Sequence, residues 1–201
     1  MDETVIKKHL CKDKKLATLV KSVDFPTSKI NENLYASLIE AIISQQLSVA
    51  AARTIHARFL GLFNHKLPSN KQLLSANNEL LRTAGVSNQK AGYLKNIAQF
   101  DIDFTLNYHE LKDFDDDALI TYLTQIKGVG RWTVEMILMF NLNRLNILPL
   151  DDLGIQNAMK KLYHFESTGR DLKVEMEEKA RIWAPYRSVA CKYLWRWKDT
   201  N

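Results

Sequence analysis

The chain has 201 residues, 46 % hydrophobic and 25 % charged, enough to bury a sizeable core in one domain or two small lobes. No run approaches the roughly 18–20 apolar residues that span a bilayer, and the opening MDETVIKKHL lacks the apolar core of a secretory leader. Two cysteines, Cys11 and Cys191, lie far apart and make no CxxC or Cys/His spacing, which argues against structural zinc or an iron–sulfur cluster.

Net charge is +5 with an isoelectric point near 9.1, and the charge is sorted along the chain. Residues 41–100 carry seven Lys or Arg against the single acid Glu79. Residues 101–119 reverse this, with seven acids against Lys112, and residues 181–198 hold five bases and no acid. Such sorting fits one face turned to a polyanion and another to water, although separate solvated helix faces would produce the same pattern.

In chain order, almost every apolar pattern has helical period. Residues 3–22 form one weakly amphipathic stretch, broken by Phe25-Pro26. Leu34, Leu38, Ile39, Ile42 and Ile43 make a stripe with Asn31 or Asn33 as its cap. Ser44-Gln45-Gln46-Leu47-Ser48 interrupts it, and Ser48 caps the next stripe, Val49 to Phe63. Pro68-Ser69, Asn77 and Ser87 mark further starts, and Gly85 a stop. Asp115 to Asp117 open a helix that Gly128 ends. Trp132 to Phe140 is another stripe, Asp152 opens a helix through Tyr163, Leu172 to Trp183 follows, and Pro185 starts the last helix, ending near Trp197. Only 146–150 could be extended. These elements predict an all-α fold of nine to eleven short helices in two lobes. The lobes are expected at 36–144 and at 1–35 plus 145–201, with a ligand cleft at their border.

The stretch from Leu123 to Gln156 carries the chemistry. Gly128-Val129-Gly130 places two glycines around one apolar residue between helices, a helix-hairpin-helix arrangement. Gly128 suits the left-handed end of one helix. Gly130 leaves the backbone N–H groups of the next helix open to an anion. Lys127, Gly128, Val129, Gly130, Arg131 and Thr133 are therefore the candidate phosphate-binding residues. GxG alone is an ordinary tight turn; the preceding LxxI stripe and the following Arg-Trp-Thr make it more specific. Some 22 residues past the hairpin, Pro149 leads into the adjacent carboxylates Asp151 and Asp152. Adjacent side chains diverge, so one can cap the helix while the other faces a cavity.

These blocks, with Ala41 to Ala52, Gly85 to Leu94, Ile126 to Thr133 and Leu148 to Gly154, resemble the helix-hairpin-helix–GPD superfamily of DNA glycosylases. The closer resemblance is to its alkylation-repair branch, the AlkA-like 3-methyladenine DNA glycosylase II enzymes, in a compact form without the N-terminal β-domain. The resemblance implies a catalytic role for Asp152 and a base pocket at Trp132, Tyr186, Met136 and Trp183. Met136 stands where larger members have an aromatic, and Trp195 and Trp197 read as structural. It also implies a minor-groove wedge at Gln45, Gln46, Leu47 and Ser48. Trp132 occupies the place where strand-cutting relatives carry a Lys nucleophile. An indole cannot form the Schiff base, so a monofunctional enzyme is expected.

The resemblance implies no catalytic cofactor, and a structural Na⁺ or K⁺ held at the hairpin by the backbone carbonyls of Thr124, Ile126 and Val129. The expected partner is double-stranded DNA containing alkylated bases, met by a monomer with no membrane attachment, in the cytoplasm (nucleoid) or, in a eukaryote, the nucleus. Two alternatives stay open: a non-catalytic DNA-binding module, and a glycosylase for another lesion. A plain phosphate clamp needs neither the carboxylate after the hairpin nor the Trp after GxGR.

Overall fold

The computed structural model describes residues 2–27 and 30–200. Its thirteen α-helices are α1 (Glu3–Leu10), α2 (Leu16–Ser22), α3 (Leu34–Ser44), α4 (Val49–Gly61), α5 (Asn70–Ser75), α6 (Asn78–Thr83), α7 (Asn88–Asp103), α8 (Tyr108–Leu111), α9 (Asp116–Leu123), α10 (Arg131–Phe140), α11 (Leu153–Tyr163), α12 (Gly169–Ala180) and α13 (Arg187–Thr200). A 3₁₀ turn, Arg181–Trp183, follows α12. Among the described residues there is no strand, only an isolated bridge between Asn33 and Asn107. The fold is all-α. No helix among the described residues is long and apolar enough to cross a membrane.

The helices outnumber the nine to eleven expected because polar side chains cut segments that hydrophobic periodicity joins. The clearest case is the single helix expected over residues 3–22. Asp13 splits it: its Oδ1 accepts from the backbone N–H groups of Lys15 (3.0 Å) and Leu16 (3.1 Å), a cap that starts α2 afresh. Elsewhere the starts follow the sequence. Asn33, Ser48, Ser69, Asn77, Ser87 and Asp115 each accept a backbone N–H in the first turn of their helix. Ser69 and Gln72 form a reciprocal capping box. Residues 146–150 form no strand.

The chain forms two compact units, residues 30–137 and residues 1–29 with 138–201. The division falls inside α10, away from the limits 36 and 144 read from the sequence, because helical periodicity runs unbroken through that point. In the first unit α7 packs against α3, α5 and α6, and α3 against α4. Leu38, Ile42, Ile43, Phe59, Leu94, Ile97 and Leu123 are fully buried there. In the second unit α13 packs against α2 and α11, and α12 against α11.

A polar knot ties this second unit. Asp13 is 3 % exposed. Its Oδ2 accepts from the Tyr163 hydroxyl (2.9 Å) and the Trp183 indole N–H (3.1 Å), and Lys179 lies 3.2 Å away. Burial alone would raise the Asp13 pKa. The Leu16 N–H, the indole, the phenol and the Lys179 ammonium outweigh it and hold the carboxyl below its ordinary value of 3.8. A depressed folded pKa gives stability that is present above the ordinary value and lost as pH falls through the lowered one. Asp13→Asn is therefore expected to cost about 1–3 kcal/mol at neutral pH. The difference from the unaltered chain should shrink below pH 3.8 in denaturant titrations run across the acid range.

Candidate functional site

The hairpin lies in the unit of residues 30–137. Thr124 caps α9, and Ile126 donates to the Leu123 carbonyl (3.2 Å) and Val129 to that of Ile126 (2.9 Å). Gly128 has φ +106°, and a Cβ there would stand 2.2 Å from the Tyr93 ring. Backbone conformation and ring packing thus both demand glycine. Gly130 meets nothing within 4 Å of a built Cβ, so the chain entering α10 is open on that side. The first N–H groups of a helix lack an i−4 carbonyl, which leaves the start of α10 suited to an anion.

The hairpin carbonyls are braced from behind. Asn96 donates to the Lys127 carbonyl (3.0 Å), and the Gln45 side chain to that of Gly128 (3.3 Å). Lys90 donates to the carbonyls of Ile43 (2.7 Å) and Gln45 (2.8 Å), fixing the end of α3. Burial pulls the Lys90 pKa below the ordinary lysine value. Asn96, Lys90 and Tyr93 all come from α7, and none of them was singled out from the sequence. Their spacing of three residues on one helix was the available signal.

This bracing divides the expected wedge. Gln45 is half-buried and its amide is turned to the hairpin, so it acts as a strut. Ser48 caps α4 through Ala51 N–H (3.3 Å). Gln46 takes a left-handed conformation (φ 59°) and is exposed, and Leu47 beside it is 38 % exposed. These two form the tip of the turn.

On α10, Arg131 remains exposed while its Nε–H donates to Glu135 (3.0 Å), which holds a cation at the helix head. Trp132 is 37 % exposed and Met136 half-buried. Thr133 is 2 % exposed, so its hydroxyl does not face a solvent-borne phosphate.

The carboxylate lies in the other unit. Asp152 is the N-cap of α11, its Oδ1 accepting from Ile155 N–H (2.7 Å). The same oxygen accepts the Trp195 indole N–H at 2.9 Å. Asp152 is 9 % exposed. The capping role and the cavity-facing role, assigned to different members of the Asp151–Asp152 pair, do not divide that way: Asp152 caps, and Asp151 instead pairs with Lys173. Gly154 makes the arrangement possible. A Cβ there would stand 2.9 Å from Asp152 Oδ1 and 3.1 Å from Trp195 Nε1.

Trp195 had been read as structural, yet it is the side chain that touches Asp152. Tryptophans in a helical chain of this length can all be core, and nothing in a one-dimensional pattern pairs residues 43 apart. Trp183 is corrected in the opposite sense. It is fully buried, with its indole N–H tied to Asp13, so it belongs to the core and cannot stack on an extruded base. Tyr186 is half-buried, its ring edge-on to His9 at 5.2 Å.

Residues 39–185 match the family described as HhH-GPD superfamily base excision DNA repair protein. The chain belongs to this superfamily. It is 36 % identical over 185 residues to DNA-3-methyladenine glycosylase 1 of Schizosaccharomyces pombe, covering 91 % of this chain and 80 % of that protein. The solved structure of the S. pombe 3-methyladenine DNA glycosylase in complex with abasic DNA superposes with a TM-score of 0.84 at 35 % identity, covering 95 % of each chain. A DNA-3-methyladenine glycosidase from Bacillus halodurans gives 0.82 at 34 %, covering 99 % of this chain and 91 % of that one. The hairpin is thus the DNA-binding element of a superfamily member.

Gly128 provides the test of the hairpin. Gly128→Ala forces both a left-handed Ala and a clash with Tyr93. It should cost about 2 kcal/mol or more in thermal unfolding and weaken binding to any duplex regardless of sequence.

Proposed function

We propose that this chain is a monofunctional DNA glycosylase of base excision repair. It extrudes alkylated purines such as 3-methyladenine and 7-methylguanine from double-stranded DNA and hydrolyses the N-glycosidic bond. The observation that carries the reading is Asp152, a carboxylate fixed by the Ile155 N–H and the Trp195 indole in a chain of this superfamily. The relatives named above as 3-methyladenine glycosylases supply the substrate class. We assign the protein to the nucleoid or nucleus, acting as a monomer.

Gln46 and Leu47 enter the gap left by the extruded base and offset the cost of unstacking it, a few kcal/mol. Gly128, Gly130, Lys127 and Arg131 hold the phosphate backbone, which positions the strand without reading its sequence. Trp132 and Tyr186 offer aromatic faces, on which a cationic base gains about 0.5–2 kcal/mol. N3- and N7-alkylated purines are cationic and leave readily, so one carboxylate suffices. As the bond to the sugar breaks, positive charge develops on the sugar ring. The Asp152 carboxylate stabilises that charge and orients the attacking water. Two fixed donors hold its Oδ1, so little reorganisation is needed when the charge forms.

No cofactor is assigned to the chemistry. The carbonyls of Thr124, Ile126 and Val129 would hold a structural Na⁺ or K⁺. The Ile126 carbonyl already accepts Val129 N–H (2.9 Å), and its second lone pair suits a weakly bound monovalent ion. Such an ion would add positive charge at the hairpin.

Asparagine caps a helix as well as aspartate. Asp152→Asn therefore keeps the fold and DNA binding, and should lower release of 7-methylguanine by about 100-fold or more, the scale on which fixed electrostatic groups act. Near-normal release by this variant would remove Asp152 from the mechanism. Trp132 supplies no amine, so the product strand should stay intact until alkali is added. Strand cleavage by the protein alone, read on a denaturing gel, would contradict the monofunctional assignment.

A further inference from the structure

Residues 101–119 lie outside the hairpin and the Asp152 cap, yet they hold the acidic block of the chain and border an exposed row of aromatic rings. Phe104, just past the end of α7, is 59 % exposed, and Phe114, just before α9, is 39 % exposed. Phe100 and Tyr122 join them. Ring centres run from Phe104 to Phe100 at 4.8 Å, from Phe100 to Tyr122 at 5.1 Å and from Tyr122 to Phe114 at 5.8 Å. All four residues belong to the unit of residues 30–137.

The row is fixed from behind. The Tyr122 hydroxyl donates to the Thr105 carbonyl (3.0 Å) and accepts the Thr105 N–H (3.1 Å), which clamps the chain after α7 onto α9. Asp101 accepts the Leu106 N–H (3.1 Å) and the Asn70 amide (2.7 Å), tying the same turn to the start of α5. A surface ordered before contact loses little entropy on binding. Phe100, 7 % exposed, already supplies the core packing at the end of α7, whereas Phe104 leaves most of its ring in water. Contiguous exposed rings of this kind mark interaction surfaces more often than single exposed apolar residues do.

The rim of the row is acidic. Asp103, Glu110, Asp113, Asp115 and Asp117 are exposed, and Lys112 is the single Lys or Arg of residues 101–119. Asp103 directly precedes Phe104, and Asp113 and Asp115 flank Phe114. The Gln99 amide donates to both Asp103 oxygens (2.8 and 2.9 Å), and Asp115 caps α9 through the Ala118 N–H (2.7 Å). These bonds position the two carboxylates and leave lone pairs open. Such a block repels a phosphate backbone, so the surface does not extend the DNA-binding one. It complements Lys and Arg, which pair with the carboxylates and also bind aromatic faces.

We propose that the row formed by Phe104, Phe100, Tyr122 and Phe114 is a docking surface for another protein, and that its occupant is a basic segment with an aliphatic or aromatic anchor. The anchor packs on Phe104 and Phe114, and Lys or Arg side chains beside it pair with Asp103, Asp113 and Asp117. Because this surface carries the charge opposite to that of the hairpin, the partner and the duplex do not compete for it.

The probe is a random peptide library displayed on phage and panned against the full chain. The most enriched peptide is then labelled with fluorescein and titrated by fluorescence anisotropy. Enriched peptides should combine Lys or Arg with Phe, Trp or Leu. Phe104→Ser should weaken the titrated peptide about tenfold or more, as truncation of a central aromatic does. Asp113→Asn combined with Asp117→Asn should weaken it about threefold or more and flatten its salt dependence. Undamaged duplex should leave the peptide bound. Thermal unfolding checks each variant, and should Phe104→Ser fail to fold, the exposed Asp pair decides the question. Absence of enrichment, or enrichment of acidic or uncharged peptides, would overturn the proposal. So would binding indifferent to either variant, or a peptide displaced by duplex. A chain that sediments as a dimer, and as a monomer after Phe104→Ser, would make the occupant a second copy and equally overturn the basic partner.

Discussion

The convergence of two N–H donors on a single oxygen of Asp152 is the constraint around which the start of α11 and the middle of α13 are arranged. Neither donor is remarkable in isolation, since one is an ordinary N-cap bond and the other an indole meeting its hydrogen-bonding requirement. Together they fix the carboxylate from two elements, the first turn of α11 and the middle of α13. Gly154 follows as a requirement, because any side chain there would enter the space where the oxygen and the indole meet. The Phe140 stack on Trp195 and the Lys192 contact to Phe140 extend the same constraint across α13 to the end of α10. A carboxylate held in this way is already oriented before charge develops on a sugar, which is the condition under which electrostatic stabilisation is most effective.

The hairpin is organised by a comparable logic with different parts. Its glycines provide openness at Gly130 and a left-handed turn at Gly128, but flexible residues do not hold themselves in place. Order comes from α7, where Asn96 fixes one carbonyl, Tyr93 packs on Gly128, and Lys90 fixes the neighbouring turn. Gln45 joins the turn to the hairpin directly. The tip at Gln46 and Leu47 and the hairpin backbone are thereby parts of one braced assembly within the unit of residues 30–137.

Much of this was legible in the sequence, and the reason is local chemistry. Caps at Asn33, Ser48, Ser69, Ser87 and Asp115 declare themselves because the capping side chain and the N–H it binds lie within three residues. Gly128 was legible for the same reason. What could not be read depends on pairs distant in the chain. Asp13 binds Tyr163 and Trp183 across 150 and 170 residues, which turned a supposed pocket aromatic into a core residue. Trp195 reaches Asp152 across 43 residues, which turned a supposed core residue into part of the site. The two tryptophans exchanged roles because periodicity reports whether a ring is buried, and says nothing about which polar group its N–H meets.

The assignment of features to the two units has a consequence for how function is distributed. Residues 30–137 contain the glycine turn, its flanking cations and the exposed tip at Gln46 and Leu47. Residues 1–29 with 138–201 contain Asp152 and the Trp195 indole that holds it. α10 belongs to both, carrying Arg131 and Trp132 at its head and Met139 and Phe140 at its end. Its ten residues are rigid along their length because each backbone bond closes on its own turn. Its head carries the Arg131–Glu135 pair, and at its tail Lys192 donates to the Met139 carbonyl.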